Sequence, residues 1–208
     1  MYDAISPFEP SALPGGVDQR AAAVRLAFAR RDDRTRLTGL YQRTPLRALF
    51  PRHEAGDLPV AALINVGGGL VAGDSASIAV DVGPEAAVLV TSQAAEKVYR
   101  STGPDCRVRT QLTVGQGGWL EWCPQETILF ERARLRRTLR LDLAGDARAM
   151  LGEVLVFGRH ASGEDIGAGF LLDRIEVRRD GALQWQDGFR LDGAYGAVLG
   201  AAAGLGGA

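Results

Sequence analysis

The stretch WLEWCPQETILF, residues 119–130, sets Glu121, Gln125 and Glu126 among tryptophan, leucine, isoleucine and phenylalanine. Other acids share that apolar setting: Glu153 in MLGEVLVF, Glu164 in RHASGEDIG, and Glu96 beside Lys97 just ahead of Val98-Tyr99-Arg100. A carboxylate among apolar side chains needs a cation, such as Arg100 or Arg159, or a water-filled cavity, because removing it from water alone is costly. Internal salt bridges are one use of such a set. Another is acid–base chemistry: two of Asp74, Glu126, Glu153 and Glu164, held about 5–10 Å apart in an open cleft, would suit a carbohydrate-active enzyme. The aromatic platform for a sugar is thin, since the tryptophans gather in WLEW instead of spreading along strands.

Other chemistries find less support. Gly67-x-Gly69-x-x-Ala72 in NVGGGLVAGD fits a dinucleotide fingerprint after the apolar run AALINV. A phosphate cradle also needs a helix to begin there and an acid about 20 residues on. Ser75 to Val82 alternates as a strand instead, and the later region reads VLVTSQ. The glycines are therefore assigned to a sharp turn or a close backbone approach that fixes Asp74 beside them. His160 and Ser162 alone make no catalytic triad, and neither HExxH, CxxC nor a calcium-type acidic loop occurs. No hydrolase activity and no tightly bound cofactor are expected.

The elements that must position these residues are strands. Ile78, Val80 and Val82 alternate with small or acidic residues, as do Val108, Leu112 and Val114, and then Leu139, Leu141 and Leu143; this is the period of a sheet. Asp180-Gly181 and Arg31-Asp32-Asp33 each join two such runs as hairpin turns. SIAVDVGPEAAVLVTSQ, RTQLTVGQGGWLEWCPQ and TLRLDLAGDARAMLGEV superpose when Val82 is set on Val114 and Leu143, which brings Gln93 onto Gln125. Units repeating at this spacing predict stacked β-hairpin layers, solenoid-like or sandwich-like, with little helix beyond one short turn at Ala94–Val98.

With 208 residues the chain is long enough for one core, so disulfides are not required. Its 24 basic and 25 acidic residues give a net charge of −1, which provides no overall field for nucleic acid or an anionic membrane. Cys106 and Cys123, the only cysteines, fit a reducing cytoplasm. Residues 1–19 read as a flexible lead with no signal peptide, 20–192 as a β-rich domain, and 193–208 as a loosely held Gly/Ala tail.

Four blocks, GGGLVAGD at 67–74, VTSQAAEKVYRS at 90–101, LEWCPQETILF at 120–130 and FGRHASGE at 157–164, together resemble the urease accessory protein UreD (UreH) family in order and spacing. The resemblance implies a β-rich, non-enzymatic scaffold in the cytoplasm that binds apo-urease, UreF and the GTPase UreG, with room for a homodimer in the accessory complex. Nickel would pass along an internal wet route, in transit and not as a resident cofactor. By the same resemblance Asp74 and Glu164 are candidate route carboxylates, and Gln93, Lys97, Tyr99, Arg100, Gln125, Glu126 and Arg159 candidate binding residues. Ala72 and Glu96 depart from the family's usual glycine and threonine. Family members usually continue beyond the Gly/Ala tail, so a missing C-terminal segment, and with it self-association of the isolated chain, is part of the expectation.

Overall fold

The structure, a computed structural model, describes residues 6–7, 22–54, 56–159, 163, 166–199 and 201. Glu164, His160 and Ser162 lie outside them. In chain order the leading strands are β1 (Ser6–Pro7), β2 (Ala22–Arg31), β3 (Arg34–Arg43), β4 (Leu46–Leu49) and β5 (Val60–Asn65). Three coils follow: β6 (Ser75–Val82), β7 (Ala87–Ser92) and β8 (Glu96–Val98); β9 (Cys106–Val114), β10 (Trp119–Cys123) and β11 (Thr127–Leu129); β12 (Arg134–Leu143), β13 (Arg148–Leu151) and β14 (Leu155–Phe157). The long hairpin β15 (Ala168–Arg179) and β16 (Ala182–Ala194) leads to the short helix α1 (Gly196–Leu199).

Successive coils stack in parallel, so each strand of a coil joins a different sheet. The eight-stranded sheet runs β1-β3-β2-β6-β9-β12-β15-β16, the five-stranded sheet β13-β10-β7-β5-β4, and the three-stranded sheet β14-β11-β8. The mainly β, helix-poor fold expected from the sequence is the one formed, and of the two stacking forms it takes the solenoid. Val82, Val114 and Leu143 are direct neighbours across β6, β9 and β12, at the register inferred from the repeat. The two strands of a unit do not pair with each other; each pairs with its counterpart one coil away.

The coil corners explain the turn residues. Glu85, Gly117 and Gly145 all have positive φ, and the corners bond to one another along the stack. Gly115 N–H donates to Val82 O at 2.7 Å, Ala144 N–H to Val114 O at 2.9 Å, and Asp146 accepts from Gly117 N–H at 2.8 Å. Gly115 has no room for a side chain, since a Cβ there would lie 2.7 Å from Pro84 N. Both predicted hairpins form, the first narrowed to Asp32-Asp33 because Arg31 still pairs with Arg34 in the ladder; the left-handed φ values at Asp32-Asp33 and Asp180-Gly181 (48° and 61°, 49° and 80°) are those of a two-residue turn matched to sheet twist.

Two apolar clusters fill the interior. The larger, including Leu26, Val80, Leu112, Leu120 and Leu141, lies between the eight- and five-stranded sheets. The smaller, including Leu70, Val98, Leu129, Leu135, Leu171 and Tyr195, lies beside the three-stranded sheet. Two expectations are corrected here. Glu96–Val98 forms β8 and not a helical turn, because pairing with Thr127–Leu129 supplies backbone partners that outweigh the helix propensity of Ala-Ala-Glu-Lys. The Gly/Ala tail does own a large anchor: β16 runs through Ala194, and Tyr195 is buried edge-on to Phe157 at 6.1 Å.

Candidate functional site

Between the two clusters lies a cavity of about 320 Å³. Its apolar wall includes Leu63, Ile78, Val108, Trp122 and Leu135, and its polar groups come from different coils: Asn65, Glu96, Gln93, Gln125, Thr110, Arg137 and Glu153. The mouth lies at the corners joining the five- and three-stranded sheets, where Gln93, Ala94, Lys97 and Gln125 are exposed. Gln93 and Gln125 thus sit one coil apart at the same corner. Gln93 N–H donates to Leu63 O at 2.8 Å, and Gln125 N–H to Ser92 Oγ at 2.8 Å.

Glu96 stands inside this mouth. Asn65 Nδ2 donates to both its oxygens, at 3.1 and 3.2 Å. Burial raises its pKa above the ordinary value of 4.5; the Asn65 and backbone hydrogen bonds oppose the rise, and the charge of Asp74 adds to it. An acid whose folded-state pKa is raised binds more protons folded than unfolded, so its favourable contribution is complete below about 4.5 and is lost as pH rises through the folded pKa. Glu96→Gln should therefore gain urea-unfolding midpoint relative to wild type at pH 8, with the gain shrinking towards pH 4. A constant difference between the two pH values would show that the carboxyl's burial is not its cause.

The inner wall carries a charge network that the alternation conceals. Arg137 projects inward from β12 at the parity of Leu135, Leu139 and Leu141. Its Nε donates to Asp173 Oδ1 at 3.0 Å, its second arm pairs with the same carboxylate, and Nη1 pairs with Glu153. Trp122 Nε1 donates to the other Glu153 oxygen at 2.7 Å. Glu153 has a cation, as burial demands, but the cation is Arg137 and not Arg100 or Arg159. In the opening stretch, Leu120 and Trp122 point inward while Glu121 accepts from Trp119 Nε1 at 3.0 Å and Gln125 is exposed at the corner. Its polar residues thus occupy the strand's other parity and the coil corner.

The remaining candidates divide. Asp74 closes its own turn: Oδ2 accepts from Val71 N–H at 2.8 Å, and its carbonyl accepts from Arg107 N–H at 2.8 Å. It is near enough to Cys106 to help burial push that thiol up to about 11, and Cys106 Sγ donates to Val71 O at 3.0 Å. Asp74 does not border the cavity, nor do Tyr99, Arg100, Glu126 and Arg159, whereas Gln93, Lys97 and Gln125 do. Tyr99 seals the glycine loop instead, its hydroxyl donating to Gly68 O at 3.1 Å and its ring meeting Phe130 edge-on at 4.9 Å. The Arg159 guanidinium lies over the Phe130 ring, 4.4 Å from its centre. Arg100 bridges to Ala133, and the Glu126 carbonyl accepts from Glu96 N–H at 2.9 Å. Of the carboxylates considered for sugar chemistry, Asp74, Glu126, Glu153 and Glu164, only Glu153 borders the cavity among the described residues, and Arg137 and Trp122 hold it. No three of His, Cys, Asp or Glu converge as a metal site among the described residues, and none of the described helices is long and apolar enough to cross a membrane.

Three of the four sequence blocks supply β8, β11 and the end of β14, and the glycine loop joins them through the Leu70–Val98 bridge. The protein is thus a helix-poor β-solenoid with this narrow, block-built sheet and, behind it, a largely apolar cavity that carries a few polar groups. A sequence model of the family described as UreD urease accessory protein matches residues 20–208, and the chain belongs to that family. It is 45% identical over 170 residues to the urease accessory protein UreD of Magnetococcus marinus, covering 82% of this chain and 59% of the relative. With UreD 3 of Methylorubrum extorquens the identity is 43% over 198 residues (94% and 66%), and with UreD of Mesorhizobium japonicum 47% over 174 residues (83% and 62%). The chain thus spans about three fifths to two thirds of the length of these curated relatives.

Proposed function

We propose that this chain acts in urease maturation as a non-enzymatic cytoplasmic scaffold, binding apo-urease together with UreF and UreG and giving nickel a transient passage through its interior. The observation that carries the reading is the cavity between the two apolar clusters, with Glu96 and Asn65 inside its mouth and amides at its rim. At the mouth, neutral amides and one carboxyl already engaged by Asn65 bind a divalent ion weakly, and deeper in, Glu153 is held by Arg137 and Trp122, which suits cargo that must move on; histidine and thiolate sets would hold it. Asp74, 22 residues before Glu96 and electrostatically coupled to it, adds negative potential near the mouth without entering it, and Glu164 is proposed as a second route carboxylate.

The test is complementation. In cells carrying a urease operon without its own UreD, the 208-residue chain should restore nickel in purified urease and copurify with UreF. Glu96→Ala should cut nickel loading while leaving UreF capture within about two-fold. Urease nickel content that is the same with and without the chain would defeat the proposal, whereas normal loading by Glu96→Ala would defeat only the role of the mouth.

A further inference from the structure

The outward face of the eight-stranded sheet carries a charge pattern that the cavity does not use. In-register parallel pairing lines up Ser75, Arg107, Arg136, Leu172 and, on the antiparallel edge strand, Arg190 in one row. The next row outward-facing is Ser77, Arg109, Thr138, Arg174 and Gly188. These ten positions hold five arginines and no acid, and all five arginines are exposed. Arg136 shares Asp105 with Arg134, and Arg190 pairs with Asp192 at 2.8 Å. Arg107, Arg109 and Arg174 have no ion pair among the described residues. Neighbouring strands stand about 4.8 Å apart, so Arg107 lies directly beside Arg136, and like charges placed opposite one another are destabilising. The whole chain is at −1, which makes the excess positive charge local to this face.

We propose that this face docks an acidic protein segment, whose carboxylates are taken up by Arg107, Arg109 and Arg174 with Arg136 and Arg190 alongside. Guanidinium groups bind carboxylates through two parallel hydrogen bonds, and the exposed hydroxyl of Thr138 between Arg109 and Arg174 adds a donor in the same row. Nucleic acid is disfavoured because a sheet that binds single strands offers open aromatic rings for stacking. The aromatic beside these rows, Phe170, is buried under Arg134 and Arg136, whose guanidinium carbons lie 4.9 and 4.5 Å from its ring centre. The exposed Trp185 pairs with Val177, a residue packed on the core, and so belongs to the opposite face.

This inference is independent of the urease assignment. The probe is a fluorescein-labelled decaglutamate, compared by anisotropy with a labelled ten-nucleotide single strand at equal salt. Arg107→Gln/Arg109→Gln/Arg174→Gln should weaken decaglutamate binding about ten-fold, the sum of three exposed charge pairs. Arg34→Gln/Arg36→Gln/Arg148→Gln, an equal charge change at other exposed positions, should alter it less than two-fold. Should the first triple variant fail to fold, the single variants Arg109→Gln and Arg174→Gln give the same comparison against Arg36→Gln. Equal losses in the two sets, or tighter binding of the oligonucleotide than of the peptide, would overturn the proposal.

Discussion

Arg137→Met is expected to lower the melting temperature by on the order of 10 °C. The substitution keeps an unbranched apolar stem and removes only the guanidinium. Asp173 and Glu153 would then face each other's charge at the inner cavity wall with no cation between them, and breaking a buried pair from one side costs about 3–5 kcal/mol. For a chain of this size each kcal/mol is worth about 2–4 °C. Burial by itself would make Arg137 less basic, but the hydrogen bonds it donates to Asp173 and the charges of Glu153 and Asp173 outweigh it and hold the guanidinium above its ordinary pKa. Adding Asp173→Leu should recover part of the stability, because a dry apolar contact replaces an orphaned carboxylate, while Trp122 still donates to Glu153. Thermal and urea unfolding of wild type, both single variants and the double variant give the coupling directly. A loss below about 1 kcal/mol for Arg137→Met, the range of an exposed pair, would mean that water reaches this network.

That network shows where the sequence could be read and where it could not. Repetition was legible because each coil spends the same apolar positions on the same core: Val82, Val114 and Leu143 could be aligned by type, and the aligned residues turned out to be strand neighbours. The two aspartate turns were legible because their backbone geometry favours few residues. Arg137 and Asp173 were missed although a signal existed. In RLRRTLRLDL the inward parity runs Leu135, Arg137, Leu139, Leu141, and in AGFLLDRIEV it runs Leu171, Asp173, Ile175, Val177. One cation and one anion at core parity, in strands that the repeat makes neighbours, predict each other; the register pairs Arg137 with Asp173 directly. Glu96 is legible as an acid in apolar surroundings and as a departure from the family pattern, but its place at the cavity mouth is not, since that depends on β8 being a strand. A three-residue strand held only by parallel neighbours leaves little trace in local propensity. Glu121 and Glu126 misled in the opposite way: proximity to tryptophans in sequence says nothing about which face of a strand a carboxylate occupies.

Gly69→Ala is the second substitution with a large expected effect, and it links the glycine loop to the cavity. Gly69 has φ +144°, and a Cβ there would lie 2.5 Å from Tyr99 Cε2 and 2.7 Å from Lys97 O. The ring of Tyr99 is clamped by Phe130 and by its bond to Gly68 O, and Lys97 O already accepts from Leu70 N–H at 2.7 Å, so neither obstacle is a free side-chain end that can swing away. Backbone strain at a conformation that favours glycine and overpacking against a fixed neighbour each cost about 1–3 kcal/mol. Together they predict a loss of about 2–5 kcal/mol by urea unfolding. Gly68→Ala is the matched control: its φ is also positive at +79°, but a Cβ there meets nothing within 4 Å, so it should cost only the strain. The clash can be relieved in one further way, by removing the ring. Tyr99→Ala in the Gly69→Ala background should therefore cost less than the same change in wild type, even though the backbone contact with Lys97 O remains. If Gly68→Ala and Gly69→Ala are equally destabilising, the close packing of Tyr99 on the loop is not what fixes the glycine, and the loop is held by its turn geometry alone.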